Sequence, residues 1–125
     1  MYIFIGDNMI YLLRKEYFLN QKDISIYLNT NQSNYSDIEN KNILDIKAIY
    51  IIKLCILYNI SLEYMYGITN EYSELPNRDK LIEKYKIDKK YLNYLENKMK
   101  ESNLKVKDID ISRTKENINK LLNQR

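Results

Sequence analysis

The chain has no His, no Trp, one Cys, one Pro and two Gly among its 125 residues. Each shortage removes a class of chemistry. Without His, and with a single Cys, neither the usual zinc sites nor a Ser-His-Asp triad can be assembled. One Cys also forbids an internal disulfide, which fits a reducing cytoplasm. No run of about 18 apolar residues occurs, so no membrane span is expected. The opening Met1-Tyr2-Ile3-Phe4-Ile5 is too short for a signal peptide and lacks its basic lead. There is no Gly-rich phosphate loop. The many carboxylates fall on solvated helix faces, with no nucleophile–base set among them. The expectation is a cytoplasmic protein that is not an enzyme and needs neither cofactor nor metal.

Ile, Asn, Lys and Tyr are abundant instead. The 13 Tyr read as codon bias from an AT-rich genome rather than as a special chemistry. The length suits one domain plus an appendage. The net charge of +3 is unevenly divided. Residues 1–70 hold six Lys or Arg against seven Asp or Glu, a net −1, and residues 71–125 hold fourteen against ten, a net +4.

The stretch Leu19–Glu39 organises the rest. Two short amphipathic helices can be drawn on it. Asn20 is a natural N-cap for the first, with Ile24 and Leu28 four apart on its inner face. Asn29 sits where the chain must turn, and Asn tolerates a left-handed conformation. Asn31 can cap the second helix, whose inward residues are Tyr35 and Ile38. Its outward positions, Gln32, Ser33, Asn34 and Asp37, are small or polar, a profile suited to a DNA major groove.

Here the chain resembles the XRE family, the Cro and phage-repressor type helix-turn-helix proteins. The residues that carry the likeness are Leu13-Arg14-Lys15-Glu16, Leu19-Asn20-Gln21, Ser25, Leu28-Asn29, Ser36-Asp37-Ile38-Glu39-Asn40-Lys41 and Ser61-Leu62-Glu63-Tyr64-Met65-Tyr66-Gly67. They span about residues 5 to 68. Three positions depart from the pattern: Asn29 stands for the usual turn Gly, Ser25 for Ala, and Tyr35 for Ile or Val. A Tyr there needs extra room in a small core. Ile5-Gly6-Asp7 is also family-like, which makes Met1 rather than Met9 the expected start.

The resemblance implies an all-α fold: a five-helix repressor-like helix-turn-helix domain followed by a short helical C-terminal oligomerisation segment. It also implies roles for residues. Gln21 would anchor a phosphate, Gln32 and Asn34 would read base edges, Ser33 would bond a base or a phosphate, and Asp37 would accept from a cytosine amino group. Lys41 and Asn42 fall where the family touches the DNA backbone, with Lys22 as a further phosphate contact. Arg14 would pair with Glu39, an ion pair locking two helices. Because residues 1–70 are not basic overall, useful affinity requires two copies.

The remainder follows in order. Asp7 or Asn8 can cap helix one, which runs to about Tyr17 with Ile10 and Leu13 inward. Helix four runs from about Asp45 to Tyr58 and is apolar nearly all round. Ile49 and Ile56 fall at positions the family keeps charged, so the C-terminal segment covers them or a dimer does. Cys55 reads as packing. Ser61 caps helix five and Gly67 ends it. Residues 71–77, with the one Pro, read as a linker between a 1–70 domain and a 78–125 segment. In that segment Leu81, Ile82 and Tyr85 mark a short helix. Asp88 caps another, with Tyr91, Leu92, Leu95 and Met99 at helical spacing, up to Ser102-Asn103. Residues 88–96 resemble the dimerisation helix of Sin-type repressors; together with the helix-four face, the expected dimerisation residues are Ile49, Ile56, Tyr91, Leu92, Leu95 and Met99. Leu104, Val106, Ile109 and Ile111 could be extended, and Ser112 or Thr114 can cap a last helix with Ile118, Leu121 and Leu122.

The expected function is a bacterial or phage transcriptional regulator, a repressor, that binds double-stranded DNA as a homodimer on a pseudo-palindrome, with the recognition helix at about 32–40. The alternative is an antitoxin or antagonist-type module whose C-terminal segment binds another protein.

Overall fold

Polar side chains cap the starts of four of the described α-helices. The computed structural model describes residues 9–102, and its first element, α1 (Met9–Glu16), turns Ile10 and Leu13 inward. Asn20 opens α2 (Gln21–Tyr27), its carboxamide oxygen accepting from the Asp23 amide at 2.7 Å. Asn31 opens α3 (Gln32–Asn40) by accepting from the Asn34 amide at 2.7 Å. A short 3₁₀ turn (Ile43–Asp45) precedes α4 (Ala48–Tyr58). Ser61 caps α5 (Leu62–Met65), α6 (Arg78–Lys84) follows, and Asp88 caps α7 (Lys89–Glu101) by accepting from the Lys90 and Tyr91 amides at 3.1 Å. Each side-chain cap takes up an amide that the first helical turn leaves without a partner. Among the described residues every element is helical, in line with the all-α expectation.

Five helices end alike. A single left-handed residue follows each of α1, α2, α4, α5 and α6: Phe18, Asn29, Asn59, Gly67 and Lys86, with φ between 50° and 76°. After α2 the Asn29 amide reaches back to Ile26 O at 3.0 Å and the Thr30 amide to Ser25 O at 2.9 Å. The same pair of bonds recurs at the other four ends. This double closure satisfies the last carbonyls of the helix and reverses the chain within a few residues. Leu19, Ile60 and Ile87, which follow three of these left-handed residues, are buried and pin the reversal to the core.

Helix four starts later than expected from the sequence. Asn42 captures the Leu44 amide at 3.0 Å and makes a 3₁₀ turn instead. Ile46 is then buried in extended conformation, and α4 begins only at Ala48. Its apolar circumference is explained by its central place: α5, α6 and α7 all pack on it. From α2, the Tyr27 hydroxyl donates to Lys53 O at 2.6 Å. Cys55 lies in this core, where burial pushes its thiol up to about 12, so it is a packing residue.

Two of the expected features are packed within this chain. The expected linker, residues 71–77, is held to the preceding helices: the Ser61 amide donates to Ser73 O at 2.9 Å, the Tyr72 hydroxyl to Asn59 O at 3.3 Å, and Leu75 is buried. Tyr72 also meets Tyr64 edge-on, with centroids 5.9 Å apart. The second concerns the dimerisation set. Ile56, Leu92 and Leu95 are buried inside this chain, and Tyr91 and Met99 are half-buried against the same core; Ile49 is half-buried. An amphipathic helix of 13 residues must cover its apolar stripe, and α7 does so on α2 and α4. Cover from the C-terminal segment therefore accounts for Ile56, whose carbonyl accepts from Arg78 Nε at 2.8 Å.

The N-terminal arm, the Asp7 or Asn8 cap, the stretch with Leu104, Val106, Ile109 and Ile111, and the last helix from Ser112 or Thr114 through Ile118, Leu121 and Leu122 lie outside the described residues. No helix among the described residues is long and apolar enough to cross a membrane.

Candidate nucleic-acid interface

The polar face expected to meet DNA is built on α3, and three elements hold that helix. At its N-terminal end, Asn31 caps the first turn while Asn34 Nδ2 donates to Thr30 Oγ1 at 2.7 Å. Along its inner side Tyr35 and Ile38 are buried. Towards its C-terminal end Glu39, only 2% exposed, is a buried carboxylate. A buried charge is tolerable only when paired and hydrogen-bonded. Arg14 of α1 supplies two donors, Nε to Oε2 and Nη2 to Oε1 at 3.0 Å, and Gln21 Nε2 adds a third to Oε1 at 2.9 Å. Arg14 Nη1 also donates to Leu19 O at 3.0 Å, so one guanidinium joins α1, the α1–α2 turn and α3. Burial alone would lower the Arg14 pKa, but the bond and charge of Glu39 more than offset it, and the net direction is up.

All three departures from the family-like pattern find room. Asn29 takes φ 59°, the conformation a Gly would supply. Ser25 is buried, and its hydroxyl donates to Lys22 O at 2.7 Å. Tyr35 is wholly enclosed; burial first, then the nearby Tyr58 and Glu39, hold its phenol protonated well above the ordinary range. Tyr58 is raised for the same reasons, burial and Glu39, and its ring stacks on Tyr17 at 6.0 Å.

The predicted contact residues divide into two groups. Gln32, Ser33 and Asp37 are exposed on one side of α3, and Lys22, in the first turn of α2, and Lys41, which follows α3, are exposed as well. Gln21, Asn34 and Asn42 have work inside the chain: Gln21 on Glu39, Asn34 on Thr30, Asn42 on the Leu44 amide. These bonds are local or depend on the packing of α1, so residue type alone does not reveal them. A further group was missed. Asp23 of α2 accepts from Lys98 Nζ at 2.7 Å and from the Tyr91 hydroxyl at 3.4 Å, tying α7 to α2. Burial, then the Asp23 charge, pushes the Tyr91 phenol up to about 12. Tyr91 and Lys98 stand seven apart, two turns of one helix face, which is the signal in the sequence; their partner is not.

Comparison with family models, with curated proteins and with solved structures finds no match.

Proposed function

We propose that the chain is a sequence-specific double-stranded-DNA-binding regulator of the XRE, Cro and phage-repressor kind, a repressor acting as a dimer on a pseudo-palindromic operator. In this reading α2 and α3 form the helix-turn-helix of a five-helix domain, and α3 enters the major groove. The observation that carries it is the two-sidedness of α3. Its inner side is clamped by Tyr35, Ile38 and the Arg14–Glu39–Gln21 cluster, while Gln32, Ser33 and Asp37 project outward. A rigid helix with a polar outer side is what base readout needs, because a mobile one would lose its register.

Each residue then has a role. The Gln32 carboxamide can bond N6 and N7 of an adenine together, for roughly 1–3 kcal/mol of discrimination. Asp37 can accept from a cytosine amino group, and Ser33 can bond base or phosphate. Asn34 keeps one N–H on Thr30 and offers its remaining N–H and oxygen. Lys22 and Lys41 contact phosphates, which set position rather than sequence. Gln21 serves first as a brace for Glu39. No observation among the described residues favours the antagonist-type alternative.

Selection of bound sequences from random duplex DNA by the purified full-length protein tests this. The expected result is an inverted repeat whose half-sites lie about one helical turn apart. Enrichment of no sequence, even at low salt, overturns the reading.

A further inference from the structure

The outer side of α7 is the opposite of what a homodimer needs. Its apolar stripe faces the core through Leu92 and Leu95. The charges on its two flanks are matched within the chain: Glu96 with Arg78 at 2.9 Å, Lys98 with Asp23 at 2.7 Å, and Lys89 with Glu83. What remains outward is Lys90, Asn93, Asn97 and Lys100, all exposed. At 3.6 residues per turn these four share one face, and a 1.5 Å rise spreads them over about 15 Å. Among the described residues neither lysine has an ion pair and neither amide a side-chain hydrogen bond. Tyr94, 43% exposed, borders the face under Lys98 Nζ, which lies 4.9 Å from its ring centre. Asp88, the N-cap, and Glu101 of the last turn are neighbouring carboxylates.

We infer that this Lys/Asn face of α7 is a second contact for duplex DNA, binding the phosphate backbone beside the segment read by α3. The inference rests on the DNA-binding reading above. Lysines act as compact point charges toward phosphate, and amide side chains donate to phosphate and sugar oxygens. Two lysines about 15 Å apart span roughly four base-pair steps of 3.4 Å. Its two lysines repel a second copy of the face. Residues 1–70 carry a net −1, so phosphate attraction there is local, and Lys90 and Lys100 add to it. The ties from Asp23 to Tyr91 and Lys98 hold α7 on α2, so the two contacts act as one rigid body.

The test compares the full-length protein with Lys90→Gln/Lys100→Gln on a selected duplex and on an unrelated duplex, across a salt series. The expected result is a less steep dependence of log K on log salt, by about 1.8, since each phosphate neutralised contributes roughly 0.9. Between 50 and 200 mM salt, that is about a tenfold smaller fall in affinity. The change should be equal on both duplexes, with unfolding unaltered. Lys15→Gln/Lys80→Gln removes the same charge elsewhere and should leave the slope in place. An unchanged slope in the α7 variant, as expected if the face served an acidic protein, overturns the inference alone. So does an equal change in the control variant. Failure of the unaltered protein to bind either duplex overturns the inference together with the functional reading.

Discussion

Arg14 of α1 clasps the carboxylate of Glu39 of α3 through two nitrogens, Nε to Oε2 and Nη2 to Oε1 at 3.0 Å, across 25 positions of sequence. Side-chain exposures of 12% and 3% place the pair out of reach of most solvent screening. Removing one member then strands the other. Arg14→Met is expected to destabilise the fold by about 3–5 kcal/mol, and adding Glu39→Met should recover much of that loss. Urea unfolding of both singles and the double gives the answer. A loss below about 1 kcal/mol for Arg14→Met would mark the pair as an ordinary surface bridge.

Phe18 holds φ 55° while 84% of it is exposed. A side chain with a Cβ is strained in that region by about 1–2 kcal/mol, and here it recovers little by packing. Phe18→Gly should therefore stabilise the chain by about 0.5–1 kcal/mol, the rest of the strain being offset by the entropy a Gly adds to the unfolded chain. Asn29→Val, at φ 59°, should act in the opposite direction. Thermal midpoints of the two variants should move to either side of the parent; a fall for Phe18→Gly would show that the ring has a contact worth more than the strain.

What could be read from the sequence was local. The caps at Asn20, Asn31, Ser61 and Asp88, the turn at Asn29 and the inward Ile24, Tyr35 and Ile38 depend on neighbours within four residues, and the structure has them as expected. The Arg14–Glu39 pair came only through the family resemblance, since nothing local joins positions 25 apart. The destination of an apolar stripe is equally non-local. Leu92 and Leu95 announce that α7 must be covered, but α2 and α4 of the same chain and a second chain are equivalent covers as far as periodicity goes. The left-handed Phe18 and Lys86 were illegible because their conformation is imposed by the helix closure around them, against their own preference. The bonds of Asn34 to Thr30 and of Asn42 to the Leu44 amide were not legible, because a polar side chain bonded in a turn and one free at a surface have the same sequence appearance.

Leu95 separates the core assignment of α7 from the dimer assignment. It is fully buried within the chain. Leu95→Ala should cost about 2–5 kcal/mol, the range for a leucine truncated in a packed core. That loss should be independent of protein concentration. A dimer-interface residue would instead lower the association constant and make the midpoint of unfolding rise with concentration, which sedimentation and urea titrations at two concentrations distinguish.

Alkaline pH should unfold the chain through its buried phenols. Burial raises the Tyr27, Tyr35 and Tyr58 pKa values above their ordinary 10.0, with Glu39 adding to the last two. In the unfolded chain these groups lose their protons near pH 10, while the native state still holds them. Above that pH the unfolded state binds fewer protons, so stability present at neutral pH falls as pH rises. Tyr58→Phe should flatten this fall. It should also leave neutral stability unchanged or higher, because the Tyr58 hydroxyl is buried with no hydrogen-bond partner among the described residues. Tyrosinate absorbance should show a late fraction that appears only with loss of helical circular dichroism. A single titration near pH 10 with the helices intact would contradict this.

Gln32 and Asn34 stand two apart at the start of α3, and their surroundings set them different tasks. Gln32 is exposed, whereas Asn34 is half-buried and bonded to Thr30 at 2.7 Å. In the DNA-binding reading, Gln32→Ala should remove discrimination at one base pair, about 1–3 kcal/mol, without changing the unfolding curve. Asn34→Ala should act on both: it releases Thr30 and the first turn of α3, so stability falls by about 0.5–1.5 kcal/mol together with affinity. Binding to a panel of single-base variants of the selected duplex, beside urea titrations, separates the two patterns. If Gln32→Ala keeps the parental preference at every position, base readout does not run through Gln32, and the other outward residues, Ser33 and Asp37, become the ones to substitute.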